Sequence, residues 1–479
     1  MKIAFVASEI TPFAKTGGLA DVAAALPRAL HQRGHELCVF MPLYASIQNS
    51  KLERHAVTNL QRLPLLLGEH QYEFSVFSCA LPDSTLPIYL IDCPALFGRE
   101  AIYTSDADEH RRFILLQRAA LESLRVMQFA PDILHCNDWH TALLPLLLKT
   151  AYRSDPLFIQ TRTVMSIHNI GYQGVFAASA MYDLSLEDVI AHIRPEDRHN
   201  GQMNWLKEGI YHADIVSTVS PTYAREICEP LGGHGLDATL RARNDEIVGI
   251  LNGVDYQSWD PHIDPLLPAR YSIHSLSGKQ QCKRALLSLG QLEFNLERPV
   301  IGMVSRLAYQ KGFDLLMGSL HNLLSSRDFT LCILGSGEPR YVDFFNALMG
   351  EFPERVYFHD GYNESLAHLI EAGSDMFLMP SLYEPCGLNQ MYSLKYGTVP
   401  IVRKTGGLAD SVKMWDGSHG TGIVFNDYDI PAVQWAVNTA LDLYKNPETW
   451  HQLIRNGMMQ DFSWQQQVLE YERLYQRLL

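Results

Sequence analysis

Several things are scarce in this sequence. No window approaches the ~18 uninterrupted apolar residues that a membrane span requires, so a membrane is not an expected partner. The eight cysteines (Cys38, Cys79, Cys93, Cys136, Cys228, Cys282, Cys332 and Cys386) form no C-x-x-C pair and no framework spacing. That pattern excludes a disulfide scaffold or zinc ribbon and reads as reduced thiols in a cytoplasm. Positive charge is also short: 39 Lys and Arg stand against 53 Asp and Glu, a formal net charge of -14. Nucleic acid and anionic lipid are thereby excluded as general partners, and an anionic small ligand needs a local basic pocket. The opening MKIAFVASEI has no long apolar core or small-residue cleavage site and reads as a first strand.

What is present is apolar content. Hydrophobic residues make up 47% of the 479 and charged residues only 19%, which rules out disorder and suits two large domains. In the second half, short β-rich runs recur every 25 to 30 residues, each followed by a helical pattern: VIGMVS before FDLLMGSLHNLLSS, TLCILG before YVDFFNALMGEF, VYFH before SLAHLIEAG, MFLMPS before LNQMYSLKYG, and PIVRK before GLADSVKMW. Parallel β-α-β units in a doubly wound α/β sheet follow. The first half repeats the rhythm with longer interruptions, its strands being KIAFVAS, ELCVFMP, PIYLID, ILHCN, TVMSIH, DIVSTVS and IVGIL. Ser220-Pro221 is a helix start, serine as cap and proline at the first helical position. The stretch from Gly171 to Asn200 exceeds a simple connection and is expected to be functional.

Turn residues and prolines replace periodic pattern between Asn252 and Pro268. The expected organisation is therefore a Rossmann-like domain over 1–250, a second over 251–455, and an amphipathic helical tail over 456–479 that packs on either domain.

The chemistry-bearing clusters fall where strands end. KTGGLAD occurs twice, at Lys15–Asp21 and Lys404–Asp410, each time after a strand and at the opening of a helix, so the glycines sit where backbone amides and the helix dipole face a ligand or simply make a tight turn. Asp21 either touches that ligand or caps the helix. Arg306 and Lys311, five residues apart in a loop after a buried strand, converge on one anionic group or form a solvated pair. Glu384 precedes a helix start formed by Cys386, Gly387, Leu388 and Asn389, whose amides suit sugar hydroxyls or phosphate. Asp138 and His168 terminate strands, while Asn169 and Asn252 lie in turns. Zinc at HCNDWH is disfavoured, because strand alternation sends His135 and Asp138 to opposite faces, and no metal site is expected. Asp106-x-Asp108, in the acidic stretch YTSDADEH, reads as a solvated turn.

KTGGLADV, HCNDWH, SIHNIGYQG, ILNGVD, SRLAYQKG, EPCGLNQ and the second KTGGLAD, in that order, resemble the bacterial glycogen synthases and plant starch synthases over nearly the whole chain. These are retaining glycosyltransferases of the GT-B fold, two Rossmann-like domains facing a central cleft. The resemblance implies glucose transfer from ADP-glucose to the non-reducing end of an α-1,4-glucan, with no cofactor and no stated oligomeric form. It places Lys15 with the amides of Gly17 and Gly18 on the donor, Glu384, Asp138 and His168 at the glucose, and Tyr362 on the nucleobase; the Asp138 carboxylate is of a kind that orients an acceptor hydroxyl. Two departures stand out. Tyr392 occupies the place of the second glutamate of the wider retaining GT-B pattern, and Phe97 that of a family tyrosine. The competing readings are another GT-B enzyme, such as a sucrose synthase or a glucan phosphorylase, and a silent glucan- or nucleotide-binding protein.

Overall fold

In a computed structural model, which describes residues 1–196 and 200–479, the chain forms two compact units. One comprises Met1–Val219, Ala224–Gly253 and Trp464–Leu479; the other comprises Ser220–Tyr223 and Val254–Ser463. Each is built around its own twisted sheet.

The first unit's strands are β1 (Lys2–Val6), β2 (Glu36–Pro42), β3 (His55–Ala56), β4 (Leu63–Leu67), β5 (His70–Ala80), β6 (Pro87–Asp92), β7 (Ile133–Asn137), β8 (Arg162–Ile167), β9 (Val175–Ala177), β10 (Gln202–Asn204), β11 (Ile215–Thr218) and β12 (Ile247–Gly249). The main sheet runs β12-β11-β8-β7-β1-β2-β6-β5-β3, with β4 paired to β5. The seven strands from β12 to β6 are parallel, and β3, β4 and β5 add an antiparallel flank. Helices cover the parallel strands, so KIAFV and ILHCN are almost wholly buried and read as continuous apolar runs. After β1 the chain turns into helix Gly18–Gln32 and returns as β2 on one side, whereas β7 pairs with β1 on the other. The order therefore reverses at β1 and β7, which opens a crevice at the carboxyl ends of those strands.

The second unit has a six-stranded parallel sheet of β13 (Val300–Val304), β14 (Thr330–Gly335), β15 (Val356–Asp360), β16 (Met376–Met379), β17 (Val399–Arg403) and β18 (Ile423–Phe425), in the order β15-β14-β13-β16-β17-β18. Ile301, Leu331, Ile333, Met376 and Ile401 pack with Phe313, Leu316, Leu320, Val433 and Val437 of the covering helices. Here the reversal lies between β13 and β16.

Helix Trp464–Leu478 completes the first unit. Its Tyr475 hydroxyl lies 2.7 Å from His135 Nδ1, and Glu472 Oε1 accepts from Arg33 Nε at 2.6 Å. The 171–200 excursion carries β9, a 3-10 turn over Ala178–Leu184 and helix Glu187–His192. No helix among the described residues is long and apolar enough to cross a membrane.

Candidate functional site

Each unit gathers its chemical groups at its own reversal point. In the first unit, Asp138 directly follows β7 and holds φ 53°, a left-handed conformation that costs a non-glycine residue on the order of 1 kcal/mol or more and is commonly retained at working sites. Its buried carboxylate accepts the His168 amide at 2.7 Å. Burial pushes the carboxyl up to about 7; the amides of His168 and Asn169 oppose that rise and the Glu9 charge adds to it.

His168 is buried and kept neutral, burial lowering its pKa to about 4. Asn137 fixes its tautomer. The Asn137 side-chain amide donates to the Val6 carbonyl at 3.0 Å, which turns Oδ1 toward His168 Nε2 at 2.9 Å. Nε2 must then carry the proton, and Nδ1, buried and without a hydrogen-bond partner among the described residues, is left as an acceptor. Asn169 closes a turn on itself, its Oδ1 accepting the Gly171 amide at 2.9 Å. Asn252 is buried, and its Oδ1 has no hydrogen-bond partner among the described residues.

The first KTGGLAD forms the other wall of this crevice. Lys15 Nζ donates to Asp21 Oδ1 at 2.7 Å, and Thr11 Oγ1 donates to the same oxygen at 3.2 Å. Asp21 thus holds Lys15; the helix cap is Gly17, without a side-chain bond. The Gly17 amide donates to Glu9 Oε2 at 3.3 Å. A methyl group placed on Gly17 or Gly18 meets nothing within 4 Å, so the outer side of the turn is open.

In the second unit, β13 leads into Ser305–Gly312 and β16 into Ser381–Leu388. Gly312, at φ 78°, lets these loops touch: a methyl there would lie 2.0 Å from the Pro380 carbonyl oxygen. Lys311 Nζ donates to Glu384 Oε2 at 2.6 Å, and Ser381 Oγ donates to that oxygen at 3.0 Å. Glu384 is buried, Lys311 half-buried. Arg306 is exposed, and its guanidinium has no partner among the described residues. Gln390 Nε2 braces the Cys386 and Gly387 carbonyls, each at 3.0 Å, ahead of helix Asn389–Lys395. Tyr362 is 83% exposed on the loop after β15.

The second KTGGLAD is used differently. Its Gly407 amide donates to the carbonyls of Glu384 and Pro385, each at 3.1 Å, and Asp410 accepts Thr222 N at 2.7 Å and Thr222 Oγ1 at 2.6 Å. One copy presents an open turn; the other is packed against the Glu384 loop.

Several groups escaped the sequence reading. Glu9, Tyr103, Asn137 and Ser381 all touch site residues or their loops. An acid three residues past a buried strand and ahead of KTGG was the available signal for Glu9. Phe97 is fully buried, its ring edge-on to Tyr44; the tyrosine beside the KTGG turn is Tyr103, whose hydroxyl donates to Glu9 Oε1. Asp106 and Asp108, expected as a solvated turn, are bridged by Arg99 at 2.8 and 2.6 Å. Tyr392 lies flat on Trp259, ring centres 3.9 Å apart. His135 spends both nitrogens on Tyr475 and Ser166 Oγ, the latter at 2.6 Å, while His140 stacks on Tyr103.

Residues 2–242 match the family described as Starch synthase catalytic domain, and residues 288–458 match Glycosyl transferases group 1. A glycogen synthase of Koribacter versatilis is 44% identical over 491 aligned positions, covering 100% of this chain and 98% of its own. Glycogen synthase 1 of Geobacter sulfurreducens is 42% identical, with 100% and 96% covered. The chain belongs to the glycogen and starch synthase family. The catalytic domain of starch synthase IV from Arabidopsis thaliana, solved with ADP and acarbose, superposes with a TM-score of 0.91 at 34% identity, covering 100% of this chain and 99% of that one. A sucrose-phosphate synthase from Thermosynechococcus elongatus, at 17% identity and a TM-score of 0.59, shares the fold alone. Family membership makes this a retaining glycosyltransferase with two Rossmann-like domains of the GT-B type, as the two parallel sheets require.

Proposed function

We propose that the chain transfers glucose from ADP-glucose to the 4-hydroxyl at the non-reducing end of an α-1,4-glucan, elongating glycogen in the cytoplasm. The observation that carries this reading is the Lys311–Glu384 pair, its carboxylate buried and its ammonium half-buried, with Lys311 on the same post-strand loop as Arg306, whose guanidinium has no partner among the described residues. A departing nucleoside diphosphate carries two to three negative charges, and fixed cations in a water-poor site commonly supply several kcal/mol to such a transition state. Arg306 and Lys311 offset the charge on the leaving phosphate. Glu384 fixes Lys311 and, with the Cys386–Asn389 turn, orients the donor glucose.

His168 supports the same reading from the first unit, since its neutral Nδ1 accepts from a sugar hydroxyl. Asp138 organises the acceptor hydroxyl, and Lys15 with Gly18 takes the donor. Tyr362 offers a ring to the base. Eight free, buried thiols suit a reducing compartment.

A panel of nucleotide sugars with a glucan acceptor tests the reading: glucose incorporation is expected from ADP-glucose and to persist in excess EDTA, because two side-chain cations stabilise the leaving group. Incorporation only from another donor, or strict dependence on added metal, overturns it. A glucan phosphorylase would instead show the absorbance of lysine-bound pyridoxal phosphate.

A further inference from the structure

Glu9 is 3% exposed, three residues beyond the end of β1. Its carboxylate receives hydrogen bonds from Thr16 Oγ1 at 2.6 Å, the Thr16 amide, the Gly17 amide at 3.3 Å and the Tyr103 hydroxyl. Tyr103 is in turn 2.9 Å from Ser8 Oγ. Four donors from two distant stretches of chain thus converge on one buried carboxylate.

Adjacent amides at the head of a helix attract an anion, and a glycine-rich turn leaves them free to bind one from solution. Here the chain supplies the anion itself. The Thr16 and Gly17 amides are already committed, so their contribution to a donor is indirect. They hold the turn while Lys15 and the open side of Gly18 face outward. Charge-assisted bonds are about twice as strong as neutral ones, which makes Glu9 the strongest local constraint on this loop. Among the described residues Lys15 itself is restrained only by Asp21, at a half-exposed position where such a pair contributes little.

We propose that Glu9, buttressed by Tyr103, is a positioning residue for the nucleotide-sugar donor: it pins the Thr16–Gly17 turn and so sets where Lys15 is presented. The inference rests on the reading that Lys15 meets ADP-glucose.

The test uses purified full-length Glu9→Gln and Tyr103→Phe, the first replacing acceptor charge by a neutral isostere, the second deleting one donor. Steady-state KM is measured separately for ADP-glucose and for glycogen, with ADP affinity by calorimetry and folding by circular dichroism. Pre-organisation lost at one loop is expected to raise the donor KM and the ADP Kd about tenfold or more in Glu9→Gln, and less in Tyr103→Phe, with the glycogen KM within about twofold. Donor and glycogen KM rising together, or a donor KM within about twofold of wild type in folded Glu9→Gln, overturns the proposal. Should Glu9→Gln fail to fold, Tyr103→Phe decides: an unchanged donor KM overturns it and a selective rise supports it. Wild-type protein inactive with ADP-glucose is a distinct failure, of the proposed function, whereas ADP calorimetry on the variants still reports on the Glu9 turn.

Discussion

The Gly407 amide donates to the Glu384 carbonyl at 3.1 Å, tying the second KTGGLAD to the loop that carries the buried glutamate. A methyl on Gly407 would lie 2.0 Å from the Cys386 carbonyl oxygen, and one on Gly406 1.9 Å from that of Glu384. Backbone against backbone has no room to yield. Gly407→Ala is expected to cost roughly 1–3 kcal/mol of stability, the range for overpacking, and to depress turnover. Gly18→Ala, at the open copy, should unfold at nearly the wild-type denaturant concentration. Equal midpoints for the two variants in urea titrations would contradict the assignment of different tasks to the repeats.

Arg306 and Lys311 separate stability from catalysis. Arg306 has no partner among the described residues to lose, so Arg306→Ala should leave stability within about 0.5 kcal/mol. Lys311→Ala leaves the Glu384 carboxylate buried with Ser381 as its remaining side-chain donor among the described residues and should destabilise by about 1–3 kcal/mol. Both should slow turnover by orders of magnitude. A loss below about tenfold, ~1.4 kcal/mol, would remove the residue from the mechanism.

Asp138 and His168 respond to pH in opposite directions. With its folded pKa raised to about 7, Asp138 contributes stability that is full below the ordinary carboxylate range and disappears as pH rises through 7. His168, lowered to about 4, contributes stability that is full above about 6.5 and disappears as pH falls through 4. Between about pH 4 and 6.5 the two slopes oppose each other. Asp138→Asn should therefore gain on the wild type above pH 7, while its stability falls more steeply on acidification. Urea unfolding at several pH values measures this, and parallel wild-type and variant curves would refute it.

Tyr475→Phe probes the helix Trp464–Leu478. Without the hydroxyl, His135 Nδ1 loses its partner inside the unit, and a buried unpaired polar group costs about 1–3 kcal/mol. A urea midpoint unchanged from wild type would mean that another group takes over the bond.

The parallel strands were legible because helices bury both faces, turning them into short apolar runs. β4 and β5 were not: β4 is an apolar run broken by Pro64 with only Leu65 and Leu67 buried, and β5 mixes polar and apolar residues with no continuous apolar run. Arg306, Asp138 and His168 stood out as candidates because each sits just past a strand, where open α/β sheets bind ligands. Glu9 carried that same signal, an acid past a buried strand, but its pairing with Tyr103 did not, since the contact joins residues 94 apart in sequence and no local pattern encodes it. Phe97, the position matched to a family tyrosine, spends its side chain on the core, while Tyr103, six residues on, holds a hydroxyl at the turn.

Because the first unit includes Trp464–Leu479, whose Tyr475 bonds the buried His135, its core can be completed only after the whole of the second unit has been synthesised. The second unit, whose segments end at Ser463, is available earlier. Synthesis order and completion order are thus reversed: the half made first waits, with part of its core uncovered, for the half made second.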